Sequence, residues 1–322
     1  MKHTTPPEAG DIIAAAERIA GVAHQTPVLV SRSFNKMLEA CIFFKCENFQ
    51  KSGSFKFRGA LNAVKSLTDA ERALGVATHS SGNHAQALAL AASLNNVKAH
   101  LVMPENSSKP KVEAVKSYGG KISFCEPNLP SREETLKKVL KKTGAVPIHP
   151  YDDYRIIAGQ ATAAKELIET HDSLDYIIVP VGGGGLLSGT ALSAAYFSSA
   201  TKVIAAEPEQ ADDAFRSFYQ KKWMPVVNPN TVADGLRTSL GKRNYPIIIK
   251  YVHDIVTVDE SGILKAMRLL WERLKIIVEP SSAVAFAALL EKKVSFEKPH
   301  PKIGLIISGG NVDLDPFFMP KP

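Results

Sequence analysis

Cysteine is scarce in this chain, with three in 322 residues. Cys41, Cys46 and Cys125 form no CxxC pair and cannot all be joined, which excludes a disulfide scaffold and points to a reducing, cytoplasmic setting. Aromatic residues are also few, at 7%, and the net charge of +7 is scattered along the chain. The densest basic run, "SREETLKKVLKKTG", sets its lysines between apolar positions as on a solvated helix face. A nucleic-acid partner would call for a basic stripe interleaved with aromatics, so none is expected. Nor is a leader: "MKHTTPPEAGDIIAAA" has acidic residues where an apolar segment should stand. One uncharged run, Tyr176 to Thr201, is long enough for a bilayer. Four consecutive glycines and a proline inside it make strand, turn and helix the better reading, and no membrane partner is expected. Fixed-period repeats and low-complexity linkers are absent as well.

What is present is alternation. Short β-branched runs ("CIFFKCENF", "GVATHS", "VKAHLVMP", "KISFCE", "AVPIHP", "DYIIVPVG", "TKVIAAEP", "HDIVTVD", "KIGLIISGG") are separated mostly by segments of helical period, among them "GNHAQALALAASLNN", "PKVEAVKSYGG", "GQATAAKELIETH" and "SGILKAMRLLWERLK". That rhythm predicts an α/β fold with parallel sheets covered by helices, in a chain long enough for two modest domains. Ligands in such sheets gather where strands hand over to helices. Three of those junctions carry Ser/Gly/Asn-rich turns: "SSGNHAQ", "GGGGLLSGT" and "SGGN".

The run Gly182 to Thr190 offers bare backbone N–H groups at a helix start, a setting that favours phosphate. It is not GxGxxG, which would need glycine at Leu187 or Ser188. It is not a Walker loop, which would need lysine at Thr190. A small phosphate-bearing cofactor remains. Elsewhere "QKSGSFKFRGALNAV" isolates Lys56 between Phe55 and Phe57 after a Ser-Gly-Ser turn. Two readings are open: a solvated basic edge of Lys51, Lys56 and Arg58, or an amine held partly dry so that a free fraction can attack a carbonyl. A lysine amine together with a phosphate cradle describes pyridoxal 5'-phosphate.

The motifs "SGSFKFRGA", "SSGNHAQ", "GGGGLLSG", "EPEQADD", "EPSSA" and "SGGNVD" occur in an order and spacing that resembles the serine racemase and serine/threonine dehydratase family, over nearly the whole chain. The resemblance implies a fold type II pyridoxal-phosphate enzyme, similar to the tryptophan synthase β chain. Two parallel-sheet domains, residues 1–68 with 150–322 and residues 69–149, would hold the cofactor in their cleft. It implies that Lys56 carries the cofactor as a Schiff base beside Phe55, and that Asn83 meets the ring hydroxyl. Gly182, Gly183, Gly184, Gly185 and Leu186 would hold the phosphate, Ser308 would meet the pyridine nitrogen, and Glu279 would wall the pocket. Substrate would lie against Ser80, Ser81, Asn83, His84, Arg132, Tyr151 and Thr238, with His84 serving equally well as a helix-start hydrogen-bond partner. Glu207, Asp213 and the carbonyl of Ala211 resemble a site for Mg²⁺, Ca²⁺ or Mn²⁺. Lys51, Gln86, Tyr118, Lys275 and Asn311 match an ATP effector site at the contact of a homodimer.

Two departures from animal serine racemases stand near the substrate: Tyr151 in place of asparagine after "HP", and Thr238 in place of serine. The expected activity is interconversion of L- and D-serine with accompanying dehydration, Lys56 acting on one face of the substrate and Ser81 on the other. Threonine deaminases of this fold commonly read "SAGNH", without that hydroxyl. The alternatives are a dehydratase for threonine, serine or threo-3-hydroxyaspartate, in which Ser81 only supports the carboxylate, and a pyridoxal-phosphate-binding protein without turnover.

Overall fold

The computed structural model describes residues 5–80 and 82–315. Its described residues form two sheets. The larger runs β1-β2-β10-β7-β8-β9, where β1 is Val28–Leu29, β2 Cys41–Cys46, β7 Tyr176–Pro180, β8 Lys202–Pro208, β9 Asp254–Val258 and β10 Lys302–Ile307. The smaller runs β5-β4-β3-β6, with β3 Val76–His79, β4 Ala99–Pro104, β5 Lys121–Cys125 and β6 Val146–Pro147. Every pairing but one is parallel, as the alternation predicts. The exception is β1, a two-residue strand antiparallel to β2, too short to leave a periodic trace in the sequence.

Helices stop and start where their ends can be satisfied. Thr68 and Glu71 form a reciprocal capping box ahead of the helix Asp69–Leu74. Asn128 caps Leu129–Thr143, which Gly144 closes in the left-handed region. Three boundaries depart from expectation. The helix containing "GQATAAKELIETH" begins earlier, at Tyr154, because Asp153 accepts from Arg155 N and caps it there. The helix opening "SGILKAMRLL" turns π-helical over Leu270–Leu274 before Lys275 ends it at φ 60°. "CIFFKCENF" is a strand only to Cys46, since the next side chain, Glu47, turns inward to meet Arg58.

The sheet interiors are apolar on both faces, as parallel sheets require: β7 is buried throughout and β10 at every position after Lys302. Against this packing one charged cluster is conspicuous. Arg58 and Glu47 are fully buried and pair at 2.7 Å; Arg58 also reaches Glu166 at 2.6 Å, and buried Lys45 joins Glu166 at 2.6 Å. Thr26 donates to Glu47 at 2.6 Å, so each buried charge has partners.

Candidate active site

Lys56 is the first residue of the helix Lys56–Lys65, and the turn before it is tied to the loop that follows β10. Ser54 bridges Gly309 in antiparallel fashion, Phe55 N donates to Ser308 O at 3.0 Å, and Gly310 N donates to Gly53 O at 2.9 Å. The loop after β10 thus holds the lysine loop in register. Arg58, one half-turn on, anchors the same helix through the buried network beneath it. This resolves the two readings of the basic edge. Arg58 is interior, and Lys56 sends its amine into the cleft, where Nζ donates to Pro150 O at 3.0 Å and lies 5.0 Å from the Phe55 ring centre and 5.9 Å from that of Tyr151. Burial pushes the Lys56 amine down to about 8, against a smaller opposing pull from Glu279. A substantial neutral fraction at physiological pH is what a nucleophilic amine needs.

The glycine run stands after β7 and at the start of the helix Gly185–Phe197, and Tyr151 links it to Lys56. Gly184 has φ +88°, and a Cβ on Gly183 would fall 2.3 Å from the Tyr151 ring. The loop therefore keeps its amides bare because neighbouring side chains leave no room for any other residue. Just beneath, a Cβ on Gly185 would come within 2.6 Å of Gln160 Oε1. Both polar atoms of the fully buried Gln160, and Oδ1 of buried Asn244, find no hydrogen-bond partner among the described residues. Bare amides, a helix N-terminus and the unspent donor Nε2 of Gln160 fit a phosphate. Leu186 is buried in the next turn.

The remaining polar groups converge on the same cleft. Asn83 opens the helix Asn83–Leu94 after β3; its amide donates to both oxygens of Glu279, at 2.8 and 3.0 Å, and accepts from Asn311 at 2.9 Å. Burial first, then the charge of Asp234, pushes Glu279 up to about 7. Ser308 is buried after β10 with its hydroxyl 2.9 Å from that of Ser282, so its touching neighbour is neutral. Ser80 leads out of β3 and accepts from Gly82 N at 3.3 Å. Ser81 lies outside the described residues. His84 is buried with Nε2 3.4 Å from Ile148 O, and burial holds it well below its ordinary value, so it is a neutral ring at physiological pH. Tyr151 and Thr238 are hydrogen-bonded to each other, and burial pushes the Tyr151 phenol up to about 12. Arg132, on the helix Leu129–Thr143, has a buried Nε without a partner among the described residues, and its charge acts on His79 and Cys125.

Away from the cleft, Glu207 in β8 accepts from Ala214 N and Phe215 N at 3.1 and 2.8 Å, while Asp213 accepts from Leu240 N at 2.7 Å. Burial raises both carboxyls, Asp213 to about 7, and the charge of Asp213 raises Glu207 further. Asp213 Oδ1 is buried and has no partner among the described residues, and Ala211 is buried in the intervening turn. Among the described residues no three His, Cys, Asp or Glu side chains gather to hold a metal, so a cation here would rest on two carboxylates and main-chain oxygen. Of the residues matched to an effector site, Asn311 is engaged at the cofactor side through Asn83 and Ser52 O, and Gln86 is buried in the Asn83–Leu94 helix. Lys51 opens a 3-10 turn, Tyr118 follows the helix Lys109–Ser117, and Lys275 ends the π-helical turn.

Sequence reasoning missed His149, Gln160 and Asn244. His149 accepts from Asp152 N at 2.9 Å through Nδ1, which fixes its proton on Nε2, and burial with the charge of His79 takes it down to about 4. Only the "HP" preceding Tyr151 signalled it. Gln160 and Asn244 left no signal, since each lies within an unremarkable helix.

Residues 19–309 match the family described as pyridoxal-phosphate dependent enzyme. The chain is 48% identical over 305 residues to a beta-hydroxyaspartate dehydratase of Paracoccus denitrificans (strain Pd 1222), covering 95% of this chain and 96% of that one. It is 48% identical over 312 residues to a serine racemase of Arabidopsis thaliana, covering 95% and 94%. The crystal structure of serine racemase from Dictyostelium discoideum superposes with a TM-score of 0.91 at 46% identity, covering 95% of this chain and 99% of that one.

Proposed function

The chain belongs to the pyridoxal-phosphate dependent enzymes, and on that premise we propose that it interconverts L- and D-serine and dehydrates serine to pyruvate and ammonia. The observation that carries the reading is the Lys56 amine, brought down to about 8, bonded to Pro150 O and close enough to His84 and Glu279 for its charge to act on both. When bound, the cofactor supplies the electron sink that makes the substrate Cα–H acidic. The residues do the rest. The Gly182–Gly185 amides and Leu186 hold the phosphate, Asn83 orients the ring, and Phe55 and Glu279 wall it. Ser308 would offer the ring nitrogen a neutral hydroxyl, where a carboxylate would favour its protonation and strengthen the sink. Ser80, Asn83 and His84 orient the substrate carboxylate, with Arg132, Tyr151 and Thr238 around its side chain. Lys56 Nζ moves the α-proton on one face. The hydroxyl of Ser81 moves it on the other, and departure of the β-hydroxyl before reprotonation diverts the substrate to dehydration.

The same reading takes residues 69–149 as a small domain, a divalent cation at Glu207, Asp213 and Ala211 O, and a cytoplasmic homodimer. ATP would act as effector through Lys51, Gln86, Tyr118, Lys275 and Asn311. A second reading, dehydration of 3-hydroxyaspartate, is favoured by Tyr151 and Thr238 beside the substrate and by the Paracoccus relative.

Ser81→Ala tests the racemase reading. Serine racemisation and D-serine dehydration should fall by about a hundred- to ten-thousand-fold, the usual worth of a general acid-base group, while L-serine dehydration survives. Measuring both keto acid and enantiomer decides it: equal losses from both enantiomers make Ser81 a carboxylate-binding residue, and undiminished racemisation removes it from the mechanism.

A further inference from the structure

One buried amide beneath the glycine turn has no partner among the described residues. Gln160 is fully buried in the helix Tyr154–Thr170, and both its Nε2 and its Oε1 are unpaired. An amide cut off from water loses its hydrogen bonds there, so glutamine is a poor choice for a position that only packs. The position is also held rigidly. On one side its helix lies against the helix that Lys56 opens: a Cβ on Gly159 would fall 2.7 Å from Arg58 O, and one on Gly59 3.1 Å from Gln160 Cγ. On the other side it lies against the helix Gly185–Phe197, where a Cβ on Gly189 would fall 2.7 Å from Ala161 N and Ser193 donates to Ala161 O at 2.8 Å. Clamped between the two, the side chain ends at the glycine turn. Oε1 stands 2.6 Å from the place of a Cβ on Gly185, next to the backbone of Tyr151. Asn244, the other amide at this turn, is used differently, since its Nδ2 donates to Gly183 O and Tyr151 O, each at 3.0 Å, and so braces the turn itself.

We infer that Gln160 is a cofactor-binding residue: its NH2 donates to the phosphate held by the Gly182–Gly185 amides, and its carbonyl takes an N–H of the turn that the phosphate leaves over. The inference rests on the phosphate assignment and adds a side chain to what that assignment gives to backbone alone. Phosphate oxygens accept hydrogen bonds, so the site calls for donors. A lysine or arginine buried at this depth would be a stranded charge before the cofactor arrives, and a neutral amide waits there at smaller cost. Because the same side chain packs against the helix that Lys56 opens, a phosphate held by Gln160 is held in register with the reactive amine.

The test reads cofactor affinity and apo stability rather than turnover. Pyridoxal 5'-phosphate and pyridoxal, which lacks the phosphate, are titrated into the apo forms of the wild type, Gln160→Met and Gln160→Leu, and lysine-bound cofactor is followed by its visible absorbance. Both variants should raise the Kd for pyridoxal phosphate roughly ten- to a hundred-fold, the worth of a hydrogen bond to a charged group, and leave that for pyridoxal unchanged. Without cofactor they should melt no lower than the wild type, because they remove an unpaired buried amide, while the rise in melting temperature on adding pyridoxal phosphate shrinks. An unchanged ratio of the two Kd values gives the amide to an internal water and overturns the inference. So does an equal rise in both Kd values, or a loss of apo stability or of folding in the two variants, either of which makes Gln160 a packing residue. A wild type that binds the two compounds equally, or binds neither, removes the phosphate assignment on which the inference rests.

Discussion

The two walls of the cleft use ion pairs in opposite ways. Beneath Lys56, Arg58 and Glu47 are fully buried, and Arg58 spends its guanidinium on Glu47, Glu166 and the carbonyl of His24. Across the cleft mouth, Lys111 beside Gly82 and Asp234 near Gly182 share one contact at 2.7 Å, half open to water. A buried pair cannot exchange partners, because any intermediate leaves a bare charge in a medium that does not solvate it. A half-exposed pair exchanges readily, because water takes over the released carboxylate. The wall that positions the reactive amine is thus fixed, and the pair at the mouth is free to part.

The largest effect should come from the residue the fixed wall presents. Lys56→Ala should abolish both the visible absorbance of lysine-bound cofactor and keto-acid release. Borohydride reduction of the wild-type protein and peptide mapping check the assignment, and a label on Lys51 would undo it.

Next comes the frame itself. Arg58→Leu strands Glu47 and should cost about 3–5 kcal/mol of stability, read from denaturant midpoints of the apo and loaded protein. The frame also predicts an acid limb. Burial raises the Glu47 carboxyl, but the Arg58 charge and hydrogen bonds more than offset this and hold it below its ordinary 4.5. A lowered carboxyl gives stability that is complete above 4.5 and is lost as pH falls through the folded value. Arg58→Leu should blunt that loss, and an acid limb as steep as the wild type's would mean that Glu47 does not carry it.

The smallest effect belongs to the open wall. Lys111→Met should change stability by no more than about 1 kcal/mol. A larger loss would place Lys111 in the frame and erase the distinction between the walls.

Much of this was legible in the residues because it is written locally. β-Branched runs alternating with helical periods fix parallel sheets whatever surrounds them, and the glycine run and the Ser-Gly-Ser turn announce backbone approached closely by other groups. The motifs then placed Lys56, Asn83, Glu279 and Ser308, which the structure brings into one cleft. Arg58 was harder to read, since a basic residue two positions after a lysine looks the same in sequence whether solvated or buried.

The sequence alone determined the alternation of the longer strands and helices, the bare amides at Gly182–Gly185 and the isolation of one lysine at a helix start, because each follows from short-range sterics and periodicity. Only the tertiary structure decided that Arg58 lies inside with Glu47 and Glu166, that β1 pairs antiparallel, that Gln160 waits beneath the glycine loop with its amide unspent, and that Lys111 meets Asp234 across the cleft. Which charges neutralise one another depends on residues far apart in the chain. No local pattern records that choice, and it is made when the two sheets and their helices pack.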